Sequence, residues 1–214
     1  MDTFLHRGRR RQLIDRLRDS GEYDPRVLDV MANVPRHAFL DSSFHDWAYR
    51  DEAFPIDCDQ TISQPSTVAW QTSALELLPR QHVLEIGTGS GYQAAVLSLL
   101  GARVFTVERH KPLYLRAKLT LKKLRLDRIR LYFRDGHKGL PEMAPFDRIL
   151  VTAGAAAVPP TLREQLKVGG LMVIPVGPAD EEQRMLRIRR VSATDYTEEE
   201  LGNCAFVPFL EGTE

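Results

Sequence analysis

The run Val83-Leu84-Glu85-Ile86-Gly87-Thr88-Gly89-Ser90-Gly91-Tyr92 constrains this chain more than any other. An apolar strand ends in an acid, glycines follow at alternate positions, and a helix is predicted from Gln93-Ala94-Ala95-Val96-Leu97. Glycines at a strand-to-helix turn let a ligand approach the backbone and permit positive φ. The helix offers its unpaired N–H groups and the positive end of its dipole to a polar ligand above the turn. Such a turn cradles a nucleotide-type cofactor. The dinucleotide fingerprint is G-x-G-x-x-G, whereas the spacing here is G-x-G-x-G, with Tyr92 where the last glycine would fall. A bulky residue there opposes the close helix–strand packing of dinucleotide folds, and Glu85 would sit badly beside a pyrophosphate. S-adenosylmethionine, with an amino-acid end and no phosphate, tolerates both and is the expected cofactor. NAD and a purely structural turn are the rival readings.

Composition sets outer bounds. A chain of 214 residues, 43% hydrophobic and 27% charged, suits a globular protein that buries about 70% of its unfolded surface. Lys plus Arg and Asp plus Glu number 29 each, so net charge offers no footprint for nucleic acid or a membrane surface. Arg7, Arg9, Arg10 and Arg11 cluster ahead of an amphipathic stretch and read as a solvated helix face. Cys58 and Cys204 stand far apart and in no metal-ligand spacing. They imply no metal and a reducing compartment. With no signal-peptide core and no apolar run of spanning length, the expectation is a cytoplasmic protein.

Helical spacing of Leu13, Ile14 and Leu17, then of Val27, Leu28 and Met31, predicts helices over 9–20 and 24–33, the second broken by Pro35. Up to about residue 60 the chain is polar and irregular, anchored by Phe39, Phe44, Trp47, Tyr49 and Phe54, which read as satellite core. A third helix is predicted over 66–78. Strands are then expected near 82–86, 103–107, 129–133, 147–152 and 170–176, and helices near 92–100, 111–124 and 160–167, with Gly101 and Gly169-Gly170 as helix stops. Strands alternating with helices imply an α/β fold, a parallel sheet covered on both faces. Alternation over 185–191, a polar stretch and then Cys204-Ala205-Phe206-Val207 predict antiparallel strands closing one edge. The whole is read as one domain over 1–214, with an N-terminal helical, substrate-side extension (1–80) and a cofactor-binding core (81–214).

In such a sheet, ligands bind beyond the carboxyl ends of the strands. Glu108 ends the second core strand, 21 residues after Gly87, where an acid accepts ribose hydroxyls. A strand-end acid facing a cleft is expected to have little packing role. Asp135, before Gly136, could accept from an adenine amine; either acid could instead cap a helix. The loop Thr152-Ala153-Gly154-Ala155-Ala156-Ala157 is small and neutral. It lacks the polar acceptors and stacking aromatic that base methylation needs, and so suits a substrate that brings its own nucleophile.

Ahead of the core stands Gln60-Thr61-Ile62-Ser63-Gln64-Pro65. With Val34-Pro35-Arg36-His37-Ala38-Phe39, Ala48-Tyr49-Arg50-Asp51-Glu52-Ala53-Phe54-Pro55, the glycine run, Pro145-Phe146-Asp147, Gln165-Leu166-Lys167-Val168-Gly169-Gly170, Ile174-Pro175-Val176-Gly177 and Phe206-Val207-Pro208, it makes nearly the whole chain resemble the protein-L-isoaspartate O-methyltransferase family. The Thr-Ile-Ser-x-Pro run is the most specific of these signals. The resemblance implies a Rossmann-like methyltransferase fold and methyl transfer from S-adenosylmethionine to the α-carboxylate of isoaspartyl residues in damaged proteins. It implies that Ser63 is the active-site serine, with Ile62, Gln64 and Pro65 facing the substrate. It places the cofactor at Glu85, Gly87, Thr88, Gly89, Ser90, Gly91, Glu108, Arg109, Asp135 and Gly136. The partners it implies are isoaspartyl proteins and peptides; the charge balance adds no nucleic acid and no membrane, and a monomer is expected. Arg134 replaces a usual glycine, and the loop after the fourth core strand lacks a frequent proline. Without the resemblance, Ser63 reads as a helix or turn cap. A methyltransferase of small molecules or RNA, or a non-catalytic cofactor-binding module, would share the glycine turn.

Overall fold

The computed structural model describes residues 2–178 and 181–214. Its first part is helical. Thr3 caps α1 (Phe4–Asp19) by accepting from the His6 amide, so the helix starts before the apolar stripe that reveals it; Phe4 and Leu5 stay exposed. Asp24 and Pro25 start α2 (Pro25–Met31). Leu13, Ile14, Leu17, Val27, Leu28 and Met31 all bury as their spacing requires. Arg10 departs from the expected solvated face: it is buried, donating to the Ala32 carbonyl and the Tyr49 hydroxyl and pairing with Asp2.

A hairpin of β1 (Phe54–Pro55) and β2 (Thr61–Ile62) leads to α3 (Pro65–Ala74), which ends well short of residue 78. The core then follows: β3 (His82–Ile86), α4 (Tyr92–Leu99), β4 (Arg103–Glu108), α5 (Lys111–Lys123), β5 (Arg130–Phe133), β6 (Phe146–Val151), α6 (Pro160–Glu164), β7 (Leu166–Val176), β8 (Gln183–Arg190) and β9 (Tyr196–Cys204). Strand order is β5-β4-β3-β6-β7-β8-β9. Pairing is parallel through β7 and antiparallel for β8 and β9. The chain leaves β3 toward β4 and β5, then returns to place β6 on the other side. The crevice that receives ligands in open α/β sheets lies above that reversal.

Two expectations at the edge are corrected. Helix α6 ends at Glu164, and Gly169-Gly170 lies inside β7 instead of stopping a helix. A side chain at Gly170 would fall 2.8–2.9 Å from the Lys167 and Asp147 carbonyls, beside a register shift against β6. The last strand is the polar stretch 196–204, not 204–207. Its glutamates answer arginines: Glu198 pairs with Arg163, Glu199 with Arg187 and Glu200 with Arg184. Charge on an outer strand also opposes edge-to-edge aggregation.

Alternation sorts the central strands onto two cores. Val83, Leu150 and Val173 pack with the N-terminal helices and α4, whereas Leu84, Ile86, Ile149 and Met172 pack on the opposite face. Arg36 fastens the irregular N-terminal segment to this frame. Its fully buried guanidinium donates to the Ala48 carbonyl (3.0 Å) and lies 5.2 Å over the Tyr92 ring; burial draws its pKa down to about 10. Phe39, Tyr49 and Phe54 are buried nearby, and Trp47 is exposed. No helix among the described residues is long and apolar enough to cross a membrane.

Candidate active site

One cleft of about 830 Å³ opens above the β3/β6 reversal. The turn after β3 forms its floor. The Gly87 and Thr88 amides bond the Val107 carbonyl at 2.9 and 3.2 Å, drawing the turn against β4. Gly87 has φ +95°, and a side chain there would meet Thr152 Oγ1 at 2.5 Å, so only glycine fits. Thr152 Oγ1 in turn donates to the Gly87 carbonyl (2.8 Å). Gly87, Thr88, Gly89 and Ser90 line the cleft. Gly91 does not: at φ +88° it starts α4, and a side chain there would stand 3.4 Å from Ala117 and Leu121 of α5. The alternate glycines divide between the cleft and the packing beneath it.

Glu108 reaches the cleft wall and is buried. Its carboxylate accepts from the Gly89 amide (2.7 Å) and the His110 amide (2.9 Å), tying the glycine turn to the start of α5. The expectation of little packing role is therefore corrected. Glu85 is not on the wall. It lies on the face opposite Ile86, fully buried, with no donor to either carboxylate oxygen among the described residues. Burial pushes its pKa up to about 8; the neighbouring Thr106 hydroxyl opposes the rise, and the Glu108 charge adds to it.

Gly136 lines the cleft, but Asp135 is turned away as a cap. Its carboxylate accepts from the His137 amide (2.9 Å), starting the short turn Gly136–Lys138. Its pKa lies below the ordinary value: desolvation works against this, and hydrogen bonds from the Gly212 and His137 amides prevail. Arg134 pairs with Glu142 (2.8 Å).

The second wall comes from the hairpin. Ile62 and Ser63 line the cleft; Gln64 and Pro65 do not. Pro65 is buried as the first residue of α3, and the Gln64 amide bonds Ser66 Oγ (2.8 Å). The residue before α3 is Gln64, without a side-chain cap bond, so the cap reading of Ser63 falls. No hydrogen bond among the described residues uses the Ser63 hydroxyl; it is free for a ligand.

The third wall was not anticipated. Val207, Pro208, Phe209 and Leu210 close the cleft from the far end of the chain. They are held by Gly154, whose amide bonds the Val207 carbonyl (2.8 Å) and whose carbonyl accepts from Phe209 (2.8 Å). A bare Gly154 leaves Gln183 in place: a side chain would fall 2.4 Å from its Nε2, which donates to the Phe206 carbonyl. Phe209 stacks on His137, ring centroids 3.9 Å apart. Arg109 also lines the cleft, and its guanidinium grips the carbonyls of Glu211 and Gly212 (3.2 Å each) and the Glu214 carboxylate (3.1 Å). Phe206-Val207-Pro208 was the only sequence signal for this wall. Gln93 was also missed: it lines the cleft, and its Oε1 has no donor among the described residues.

Residues 8–214 match the family described as protein-L-isoaspartate(D-aspartate) O-methyltransferase (PCMT). A protein-L-isoaspartate O-methyltransferase of Christiangramia forsetii is 52% identical over 210 residues, 98% of each chain. A solved structure named protein-L-isoaspartate O-methyltransferase superposes with TM-score 0.85 at 28% identity, over 93% of this chain and 65% of that one. A candidate protein-L-isoaspartate O-methyltransferase of Plasmodium falciparum, solved in complex with S-adenosyl-L-homocysteine, shares the fold at TM-score 0.83 and 23% identity, over 94% of this chain and 98% of its own. The match spans the helical extension, the glycine turn and the closing segment alike, and the chain belongs to the protein-L-isoaspartate(D-aspartate) O-methyltransferase family.

Proposed function

We propose that this chain transfers a methyl group from S-adenosylmethionine to the free α-carboxylate of L-isoaspartyl residues in proteins and peptides. One observation carries the reading: the free Ser63 hydroxyl and the Gly87–Ser90 turn line one cleft, so a nucleophile and a methyl donor can be held together. The donor set fits the cofactor. The turn is bare enough for close approach, Glu108 retains lone pairs for ribose hydroxyls, and the unpaired Gln93 Oε1 suits an ammonium group. S-adenosylmethionine, when bound, supplies a methyl group on a positively charged sulfur.

The protein's own work is positional. An α-carboxylate has an ordinary pKa of about 3.3–3.9, so it is ionised at neutral pH and no residue need remove a proton. Ser63 donates to one carboxylate oxygen and aims the other along the line of transfer. Val68, Ile86, Val207 and Phe209 exclude water from the nucleophile. Alignment of this kind contributes about 7–11 kcal/mol where geometry is good. Charge is lost as the methyl moves, and an apolar enclosure favours that change. Asp135 supports the adenine end through the turn it caps, and Glu85 lies beneath the floor. Neutral charge supports an enzyme without nucleic-acid partners, and two half-buried free thiols support a cytoplasmic setting.

The decisive test pairs peptides identical except for the linkage. In the isoaspartyl form the carboxylate sits one methylene closer to the main chain, and a misplacement of about 1 Å costs on the order of 100-fold. Incubation with methyl-labelled S-adenosylmethionine is expected to label the isoaspartyl peptide alone, as a base-labile ester that releases methanol while a succinimide forms. Equal labelling of both peptides, or a stable label on nitrogen, overturns the reading. A separate expectation concerns Glu108→Ala. It should weaken S-adenosylmethionine binding by about 1.5–3 kcal/mol, as for hydrogen bonds to a charged group. It should also lower stability by about 1–3 kcal/mol, because two backbone amides lose their acceptor. Calorimetric titration and thermal unfolding check the two parts, and unchanged affinity removes Glu108 from the cofactor site.

A further inference from the structure

A second groove is built mainly from the same two stretches of chain one step farther along, with Glu22 and Tyr23 between α1 and α2 completing it. The first stretch gives Ile62 and Ser63 to the cleft and Gln64, Thr67 and Trp70 to the groove. The second gives residues 207–210 to the cleft and residues 201–205 to the groove. The groove is therefore an outward continuation of the site, with Ser63 and Gln64 on either side of the boundary. Its back wall is the half-buried Trp70 indole, lying over the bare backbone of Gly202; a side chain there would stand 3.6 Å from the ring. Its other margin is the end of β9, the outermost strand of the sheet, whose far edge has no strand partner among the described residues. Such an edge keeps main-chain donors and acceptors for another extended chain.

Resting on the methyl-transfer reading, we propose that this groove binds the stretch of substrate polypeptide flanking the isoaspartyl residue, extended along the end of β9 with a side chain against Trp70. A carboxylate presented to the cleft brings its own main chain with it, and that chain has to leave past the rim. The groove begins at Gln64, the residue next to Ser63, and offers what an extended peptide uses: a strand edge, the Gln64 and Ser66 side chains, and an aromatic face. Trp70 is then a specificity-determining residue that touches neither the cofactor pocket nor the reacting atoms.

The experiment measures methylation of a minimal isoaspartyl peptide and of versions lengthened by about four residues on the amino or the carboxyl side. In the wild-type protein, lengthening on one side is expected to lower KM about tenfold, the effect of one well-placed aromatic contact. Trp70→Ala is expected to erase that gain while leaving kcat, the KM of the minimal peptide and S-adenosylmethionine affinity within about twofold. Trp70→Phe is expected to keep most of it. Thr67→Arg fills the groove instead of deleting its wall, so it should act like Trp70→Ala and keeps the test alive if that variant fails to fold. No length gain in the wild type, a gain that survives both Trp70→Ala and Thr67→Arg, or an equal loss on minimal and long peptides overturns the groove assignment and leaves the methyl-transfer reading standing. A dimer in sedimentation that Thr67→Arg dissociates also overturns it, since a second copy would then occupy the groove. Failure of the wild-type protein to methylate the minimal isoaspartyl peptide overturns the underlying reading.

Discussion

Glu85→Gln is expected to abolish most of the loss of stability that the ligand-free protein undergoes as pH rises from about 6.5 to 8. Burial holds the folded-state carboxyl near 8 against an ordinary 4.5, so the folded protein binds a proton that the unfolded chain releases. Stability from this group is complete below the unfolded value and is lost as pH rises toward the folded one, at about 1.4 kcal/mol per pH unit. His37 acts in the opposite sense. Burial lowers it from 6.5 to about 4, so its contribution is complete above 6.5 and is lost on acidification. Below pH 6.5 the two oppose each other; above it Glu85 acts without His37. Glutamine keeps the shape and cannot ionise, so urea unfolding at pH 8 should show the variant more stable than wild type by about 2 kcal/mol or more. Parallel stability curves for the two proteins would show that Glu85 ionises as freely in the folded protein as in the unfolded chain.

Ser63→Ala is expected to slow methyl transfer by about 10–1,000-fold, the range for loss of one positioned donor. S-adenosylmethionine affinity should stay within a few-fold, because the glycine turn and Glu108 are untouched. Stability should barely change, since Ser63 caps no helix and makes no hydrogen bond among the described residues. Single-turnover kinetics beside calorimetry separate the two effects. A variant with full turnover would move the orienting role to another wall of the cleft.

The glycine turn, the strand alternation and the helical extension were legible because each writes a local pattern: a period, a breaker or a cap. The direction of individual side chains was less so. Glu85, Gly91 and Asp135 stand at cofactor-site spacings, yet the β3 pleat turns Glu85 to the opposite face. Positive φ turns Gly91 toward α5, and a local amide claims Asp135. The strand 196–204 was hidden because an exposed edge needs no apolar alternation when arginines on neighbouring elements balance its glutamates. Arg10 was misread for the converse reason. Its partners, Ala32 and Tyr49, lie 22 and 39 residues away, beyond any local window. The wall at residues 207–210 depends on Gly154, half a core away in the chain, and only the resemblance marked it.

That wall makes catalytic competence depend on a stretch made long after the rest of the cleft. The hairpin side of the cleft is written near residue 60, its floor near residue 88, and its closing side only at residues 207–210. A chain emerging from a ribosome can assemble β3, β4 and the glycine turn early, but it has no enclosed cleft until this closing stretch docks on Gly154. Half-made or clipped copies lacking that stretch would therefore lack the enclosure needed to bring carboxylate and methyl donor together, and bound cofactor would serve as a readout that residues 207–210 have docked.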